Sequence, residues 1–366
     1  MQVLSKGSAE MQTKDKVKNT GMEIGLYTLG DIVPDPNSGK SISPDQRIKE
    51  IIEAAKIADE AGLDLFGVGE HHRLDFAVST PAVVLAAISQ VTKRIKVTST
   101  TTVLGTIDPV RLFEDFATLD LLSDGRAEII AGRGAFVEPF PLFGYNTDDY
   151  DELFEENMNL FLKLNENERV TWEGKFRSSL SDAEIAPRPK QVKLPIWIGV
   201  GGSPESAERA GRFGVGMAMA ILNGDPMRFK PLVDLYRKVG TESGHLLENL
   251  KLGVTGHGYI AETTQQANEE FYPYHSNYWS YINGKLGLVG TMSREKFDQM
   301  TGPDGALFVG SPQQIAEKIL WQYEHFGHQR FIAQIDIGGV PFSKVAKGIE
   351  LLATEVAPIV RKATRD

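Results

Sequence analysis

The 366-residue chain contains no cysteine, which excludes disulfides, thiolate metal sites and a cysteine nucleophile. Long apolar runs are missing as well. Stretches such as Val83 to Ile88 fall far short of the roughly 18 to 20 residues needed to cross a bilayer, so no membrane partner is expected. A basic surplus is also absent: 39 Lys and Arg stand against 49 Asp and Glu, a formal net charge of -10. Nucleic acid is therefore not an expected partner, because affinity for a phosphate backbone needs clustered cations. The surplus acid is spread through stretches such as Asp148 to Glu156 and reads as solvated helical surface. Met1 to Asn19 is polar and lysine-containing, and without an apolar segment it does not read as a secretory signal. A cytoplasmic location is the expectation, with residues 1–20 a disordered tail or an alternative start ahead of Met22.

What is present is an alternation. Short β-rich runs at Met22 to Tyr27, Leu63 to Val68, Ile95 to Thr102, Ala127 to Ala131, Pro195 to Gly199, Val215 to Ala218, Leu252 to Ile260 and Arg330 to Ile335 are separated by longer helical patterns. This is the mark of parallel βαβ units rather than hairpins. Helix ends are readable: Asp108 is a candidate N-cap, Pro109 sits at the first helical position, and Asp124-Gly125 follows the last periodic apolar residue. Other helices are expected over Pro44 to Ala61, Pro81 to Val91, Asp149 to Leu164, Pro204 to Phe213, Pro226 to Val239, Pro312 to Phe326 and Ser343 to Val360. About eight βα units predict an α/β fold, a single (β/α)8 TIM barrel over residues 21–366. Two segments, Glu166 to Leu194 and Thr263 to Gly310, exceed ordinary loop lengths. They read as insertions after the fourth and seventh strands, the second holding a candidate substrate lid at 278–308.

In such a barrel the strand C-termini and the loops after them build the site. Four of these ends carry chemistry. Gly69-Glu70-His71-His72 places a carboxylate beside imidazoles, which suits general-base work or a hydrogen bond to a cofactor. One of the two histidines has an equal claim to a structural role, and no third ligand completes a metal site. Thr98 to Thr102 offers hydroxyls where a buried strand normally carries Val or Ile; they suit a ligand edge, although threonine also simply favours strands. Gly132-Arg133-Gly134 sets a cation between residues that permit close backbone approach. Gly199 to Pro204 is a glycine-rich turn running into a helix, whose free amides favour phosphate. It is not a dinucleotide fingerprint, since the G-x-G-x-x-G spacing is incomplete.

Taken in order, Gly69-Glu70-His71-His72, Asp108-Pro109-Val110-Arg111, Leu119 to Arg126, Gly132-Arg133-Gly134, the Pro195 to Ser203 turn, Gly310 to Ile315 and Gly338-Gly339 resemble the luciferase-like monooxygenase family. The resemblance covers nearly everything from Met22 onward. It implies a barrel that binds FMN, or in some branches a deazaflavin, at the strand C-termini. By position, Thr100 and Thr101 match the bulge that meets the flavin ring, where a non-prolyl cis peptide often occurs. Arg133 with Gly201, Gly202 and Ser203 match the phosphate region, and His71 the active-site histidine, with Glu70 beside it. The luciferase itself carries a reactive cysteine where this chain has Gly132 and an arginine where it has Asp151, so light emission and an unchanged phosphate grip do not follow. The function implied is a monooxygenase using reduced FMN and O2 on a small organic substrate, supplied by a separate flavin reductase and working as a homo-oligomer, a dimer. Alternatives are a deazaflavin-dependent hydride-transfer oxidoreductase and a non-catalytic flavin-binding subunit.

Overall fold

The computed structural model describes residues 21–134, 136–285 and 290–365; the expected tail at 1–20 and residues 286–289 of the expected lid lie outside them. β1 (Glu23–Thr28), α1 (Pro44–Ala61), β2 (Leu65–Val68), α2 (Pro81–Val91) and β3 (Lys96–Ser99) open the fold. A two-residue strand, β4 (Thr102–Val103), precedes α3 (Pro109–Leu122) and β5 (Ala127–Gly132). After the short α4 (Pro139–Leu142) and α5 (Tyr150–Glu166) comes a hairpin, β6 (Arg169–Trp172) and β7 (Leu180–Glu184). The alternation resumes with β8 (Ile196–Val200), α6 (Pro204–Phe213), β9 (Gly216–Ala220), α7 (Lys230–Glu242) and β10 (Leu252–Ile260). The chain ends with α8 (Thr264–Lys285), α9 (Arg294–Thr301), β11 (Phe308–Gly310), α10 (Pro312–Phe326), β12 (Arg330–Gln334), α11 (Phe342–Leu351) and α12 (Ala357–Ala363).

Eight parallel strands pair in the order β1, β2, β3, β5, β8, β9, β10, β12. Pairing of β12 back to β1 and of β9 to β10 closes the barrel. Helix boundaries follow from capping. In α1, α6 and α10 a serine hydroxyl (Ser43, Ser203, Ser311) accepts a first-turn amide, proline occupies the first turn, and a left-handed glycine (Gly62, Gly214, Gly327) ends the helix. The helices bury one apolar layer against the outside of the sheet. The barrel interior holds a second, formed by Tyr27, Leu65, Ile130, Trp197, Ala218 and Ile332. Below it Arg330 pairs with Glu128 at 2.6 Å and Glu23 at 2.6 Å, its guanidinium 4.2 Å from the Trp197 ring centre. No helix among the described residues is long and apolar enough to cross a membrane.

Two expected elements differ. The third strand does not run unbroken to Thr102: it stops at Ser99 and resumes after a cis peptide between Thr100 and Thr101. The last helix is interrupted by a wide π turn over Leu352–Val356, because Pro358 has no amide to offer the carbonyl one turn back. The long segments are not structureless. The first contains the β6–β7 hairpin, which runs back along α5 so that Lys175 at its tip reaches Glu152 near the start of that helix. The second contains α8, α9 and β11, and β11 pairs parallel with the upper end of β10.

Candidate active site

The C-terminal ends of the barrel strands enclose a cavity of about 450 Å³. Glu70, His71, Thr100, Thr101, Arg133, Gly201 and Ser203 all line it. Gly202 does not; its left-handed φ of 126° shapes the turn instead.

One wall is cationic. Arg133 donates through Nη2 to the hydroxyls of Ser203 (3.1 Å) and Ser206 (3.0 Å), and its Nη1 lies 2.6 Å from Asp151. Ser203 caps α6, so the free amides of that helix point the same way as the guanidinium. A β-carbon added at Gly201 or Gly202 would meet nothing within 4 Å, which leaves the turn open to an anion. Asp151 is exposed and also reaches Arg209 at 3.3 Å. An anion at this wall has to compete with it for Arg133.

The opposite end of the wall is the interrupted third strand, and glycines make room for it. A β-carbon at Gly67 would lie 2.4 Å from Thr100 Cγ2, one at Gly132 would lie 2.5 Å from Thr101 Oγ1, and one at Gly199 would lie 2.8 Å from Thr101 Cγ2. Three strands, β2, β5 and β8, thus give up a side chain so that Thr100 and Thr101 can project into the cavity. Thr100 Oγ1 is buried and has no partner. So is His71 Nε2, although the His71 ring packs against Phe76 (4.0 Å between ring centres) and Phe136 (5.3 Å). Burial first, then the nearby Arg73 charge, push the His71 imidazole down to about 4, so at neutral pH it is uncharged, with one nitrogen an acceptor.

The two other acid-base candidates face each other. Glu70 Oε1 lies 2.8 Å from His72 Nε2, and Oε2 accepts the Val103 amide at 3.0 Å. Both oxygens are therefore committed to holding the loop, and His72 packs edge-on against Phe143 (4.9 Å). Sequence reasoning missed four polar lining residues. Ser206 lies one turn beyond the recognised glycine turn, Tyr150 donates to the Gly134 carbonyl at 3.0 Å, and Tyr27 and Thr255 point inward from β1 and β10. Strand alternation carried a signal for the last two; nothing local marked Tyr150.

A family model described as luciferase-like monooxygenase matches residues 22–330. The chain belongs to this family. Among curated relatives, this luciferase-like chain is 24% identical to the oxygenase component of a flavin-dependent trigonelline monooxygenase from Acinetobacter baylyi, over 94% of this chain and 97% of that one. It is 32% identical to an F420-dependent glucose-6-phosphate dehydrogenase from Amycolatopsis mediterranei, over 46% of this chain and 52% of the other. Two solved structures share the fold: a monooxygenase from Streptomyces bottropensis (TM-score 0.78, 23% identity, covering 92% of this chain and 99% of that one), and the oxygenating constituent of 3,6-diketocamphane monooxygenase from Pseudomonas putida, solved with FMN (TM-score 0.75, 21% identity, 92% and 98%). The family's relatives are thus flavin-dependent monooxygenases, with F420-dependent enzymes among them.

Proposed function

We propose that this chain is the oxygenase component of a two-component monooxygenase, in which reduced FMN from a separate reductase, together with O2, oxygenates a small organic substrate. The observation that carries the reading is one cavity with an anion-ready wall, Arg133 with the Ser203 and Ser206 hydroxyls at a helix N-terminus, and a far end where Thr100 Oγ1 and His71 Nε2 are buried without partners. A buried polar atom without a partner costs roughly 1 to 3 kcal/mol, and the hydrogen-bonding edge of a flavin supplies what is lacking. FMN fits these residues: Arg133, Ser203 and Ser206 would hold its phosphate, and Thr100 and Thr101 its ring.

When bound, the reduced flavin supplies the electrons that activate oxygen. The chain supplies orientation and a dry enclosure. His71, uncharged at neutral pH, takes or returns a proton at Nε2; Glu70 acts as a positioning residue through His72 and the Val103 amide. The segment from Tyr278 to Phe308 serves as the lid over the substrate. Exposed Val83, Leu121 and Leu122 on α2 and α3 support self-association as a homodimer. The F420-dependent relative supports a second reading, hydride transfer from a reduced deazaflavin in the same cavity. Oxygen uptake by the purified chain with reduced FMN and a substrate panel tests the first reading. Substrate-dependent turnover with reduced F420 and none with FMN would replace it with the second, and flavin binding without turnover of any substrate would favour a binding subunit.

A further inference from the structure

Three adjoining barrel strands become polar on their inward faces as they climb to the C-terminal mouth. On β1 the inward series runs from Tyr27 to Leu29 and on β12 from Ile332 to Gln334, and just past the ends of these strands Asp31 and Asp336 are buried too. On β10, Thr255 lines the cavity and His257 is the next residue on the same face, since strand side chains alternate. His257 and Gln334 are register partners. All of these upper groups are buried, and their polar atoms are poorly met: both amide atoms of Gln334, both ring nitrogens of His257 and the Oδ1 atoms of Asp31 and Asp336 have no hydrogen-bond partner. Isolated exceptions occur in folded proteins, but native chains rarely leave several on neighbouring strands without a ligand or ordered water to meet them.

The surroundings define the chemistry. Arg47 of α1 spans the two carboxylates, 2.8 Å from Asp336 and 3.7 Å from Asp31, so two acids share one guanidinium. Burial pushes His257 down to about 4, which leaves a neutral imidazole with one donor and one acceptor nitrogen. Tyr278 of α8 meets the His257 ring edge-on at 5.7 Å and closes the layer from above. The layer lies across the barrel mouth from Arg133 and Ser203; Tyr27 and Thr255, one step lower on β1 and β10, line the flavin-site cavity, while Asp31, Arg47 and Asp336 line a cleft of their own.

We propose that His257, Gln334 and Asp336, roofed by Tyr278, form the substrate-recognition site, and that the substrate is a small molecule presenting a hydrogen-bond-donating nitrogen beside an acceptor oxygen, as a carboxamide does. The acceptors are the free carboxylate oxygen of Asp336 and the Gln334 carbonyl; the donors are the Gln334 amide and one His257 nitrogen. An apolar chain placed here would leave every one of these groups unmet, so the site discriminates against hydrocarbon. The inference rests on reading the adjoining cavity as the flavin site.

The test uses the full chain with and without FMN and three probes of similar size: benzamide, acetophenone, which only accepts, and isopropylbenzene, which does neither. Binding is followed by the ligand-induced rise in thermal midpoint and by perturbation of bound-flavin absorbance. Benzamide should bind at least 10-fold tighter than isopropylbenzene, with acetophenone between them. Gln334→Leu and His257→Leu should each abolish that preference while FMN affinity and the circular dichroism spectrum stay unchanged. Equal binding of benzamide and isopropylbenzene, no benzamide binding, or a preference that survives in a folded Gln334→Leu protein overturns the proposal. If both variants fold poorly, the probe series on the unmodified chain decides. Failure to bind FMN would sink the proposed function instead, and the benzamide preference measured without FMN would still judge the recognition site.

Discussion

Gly199→Ala should destabilise the barrel and loosen the flavin site, and Thr101→Ser should reverse most of the damage. A β-carbon at position 199 would lie 2.8 Å from Thr101 Cγ2, while its next neighbours are at 3.8 Å and beyond. The clash is therefore with one methyl group. Overpacking of this kind costs roughly 1 to 3 kcal/mol. With an unfolding entropy of about 2.1 cal/mol/K per residue, a chain of 366 residues should lose about 1 to 4 °C in thermal midpoint. Thr101→Ser removes that methyl and alone should cost about 0.5 to 1.5 kcal/mol, the usual range for deleting one buried methyl. In the double variant the added carbon occupies the vacated space, so the two losses should not add; a coupling of about 1 to 2 kcal/mol in favour of the pair is expected. Differential scanning calorimetry of the four proteins measures this, and FMN titration should follow the same order because Thr101 lines the cavity. Losses that add to within about 0.5 kcal/mol would show that Gly199 does not make room for Thr101.

Arg133→Ala should weaken FMN binding by roughly 1 to 3 kcal/mol through loss of a charge-assisted hydrogen bond; unchanged fluorescence titration would remove Arg133 from the phosphate site. Asp151→Ala should instead tighten FMN, by no more than about 1 kcal/mol because the carboxylate it removes is exposed; weaker binding would mean Asp151 helps rather than competes. His71→Ala should lower turnover by roughly 100-fold or more with FMN affinity retained, whereas His72→Ala should chiefly lower the thermal midpoint by freeing Glu70 and the Val103 loop; the reverse pattern would exchange their roles. His71 and His257 are held down to about 4, and His275 and His328 to about 3, chiefly by burial. Between these values and the ordinary histidine value near 6.5 the unfolded chain binds more protons than the folded one, so stability is full above that range and falls as pH drops through it. Asp31, raised to about 6 by burial, acts in the opposite sense but is one group against four. The thermal midpoint should decline from pH 7 to 5, and a flat profile would contradict the buried, neutral histidines.

Local chemistry in the sequence determined more of this protein than its low identity to relatives suggests. Ser43-Pro44, Ser203-Pro204 and Ser311-Pro312 at helix starts, with Gly62, Gly214 and Gly327 at their ends, set three helices to the residue, because caps act within one turn of chain. Alternating β and helical periods then required parallel crossovers, and so located the strand C-termini at which Glu70, His71, Thr100, Thr101 and Arg133 stand. What only the tertiary structure decided depends on groups far apart in the chain. Arg133 meets Ser203 and Ser206 some 70 residues later, and Gly67, Gly132 and Gly199 clear space for one pair of threonines. Periodicity also could not show that Glu70 turns to His72 while His71 keeps a free nitrogen, because adjacent side chains are assigned their partners by packing. The buried layer of His257, Gln334 and Asp336 was hidden for the same reason: each is an ordinary polar residue in sequence, and barrel closure alone brings them together away from water.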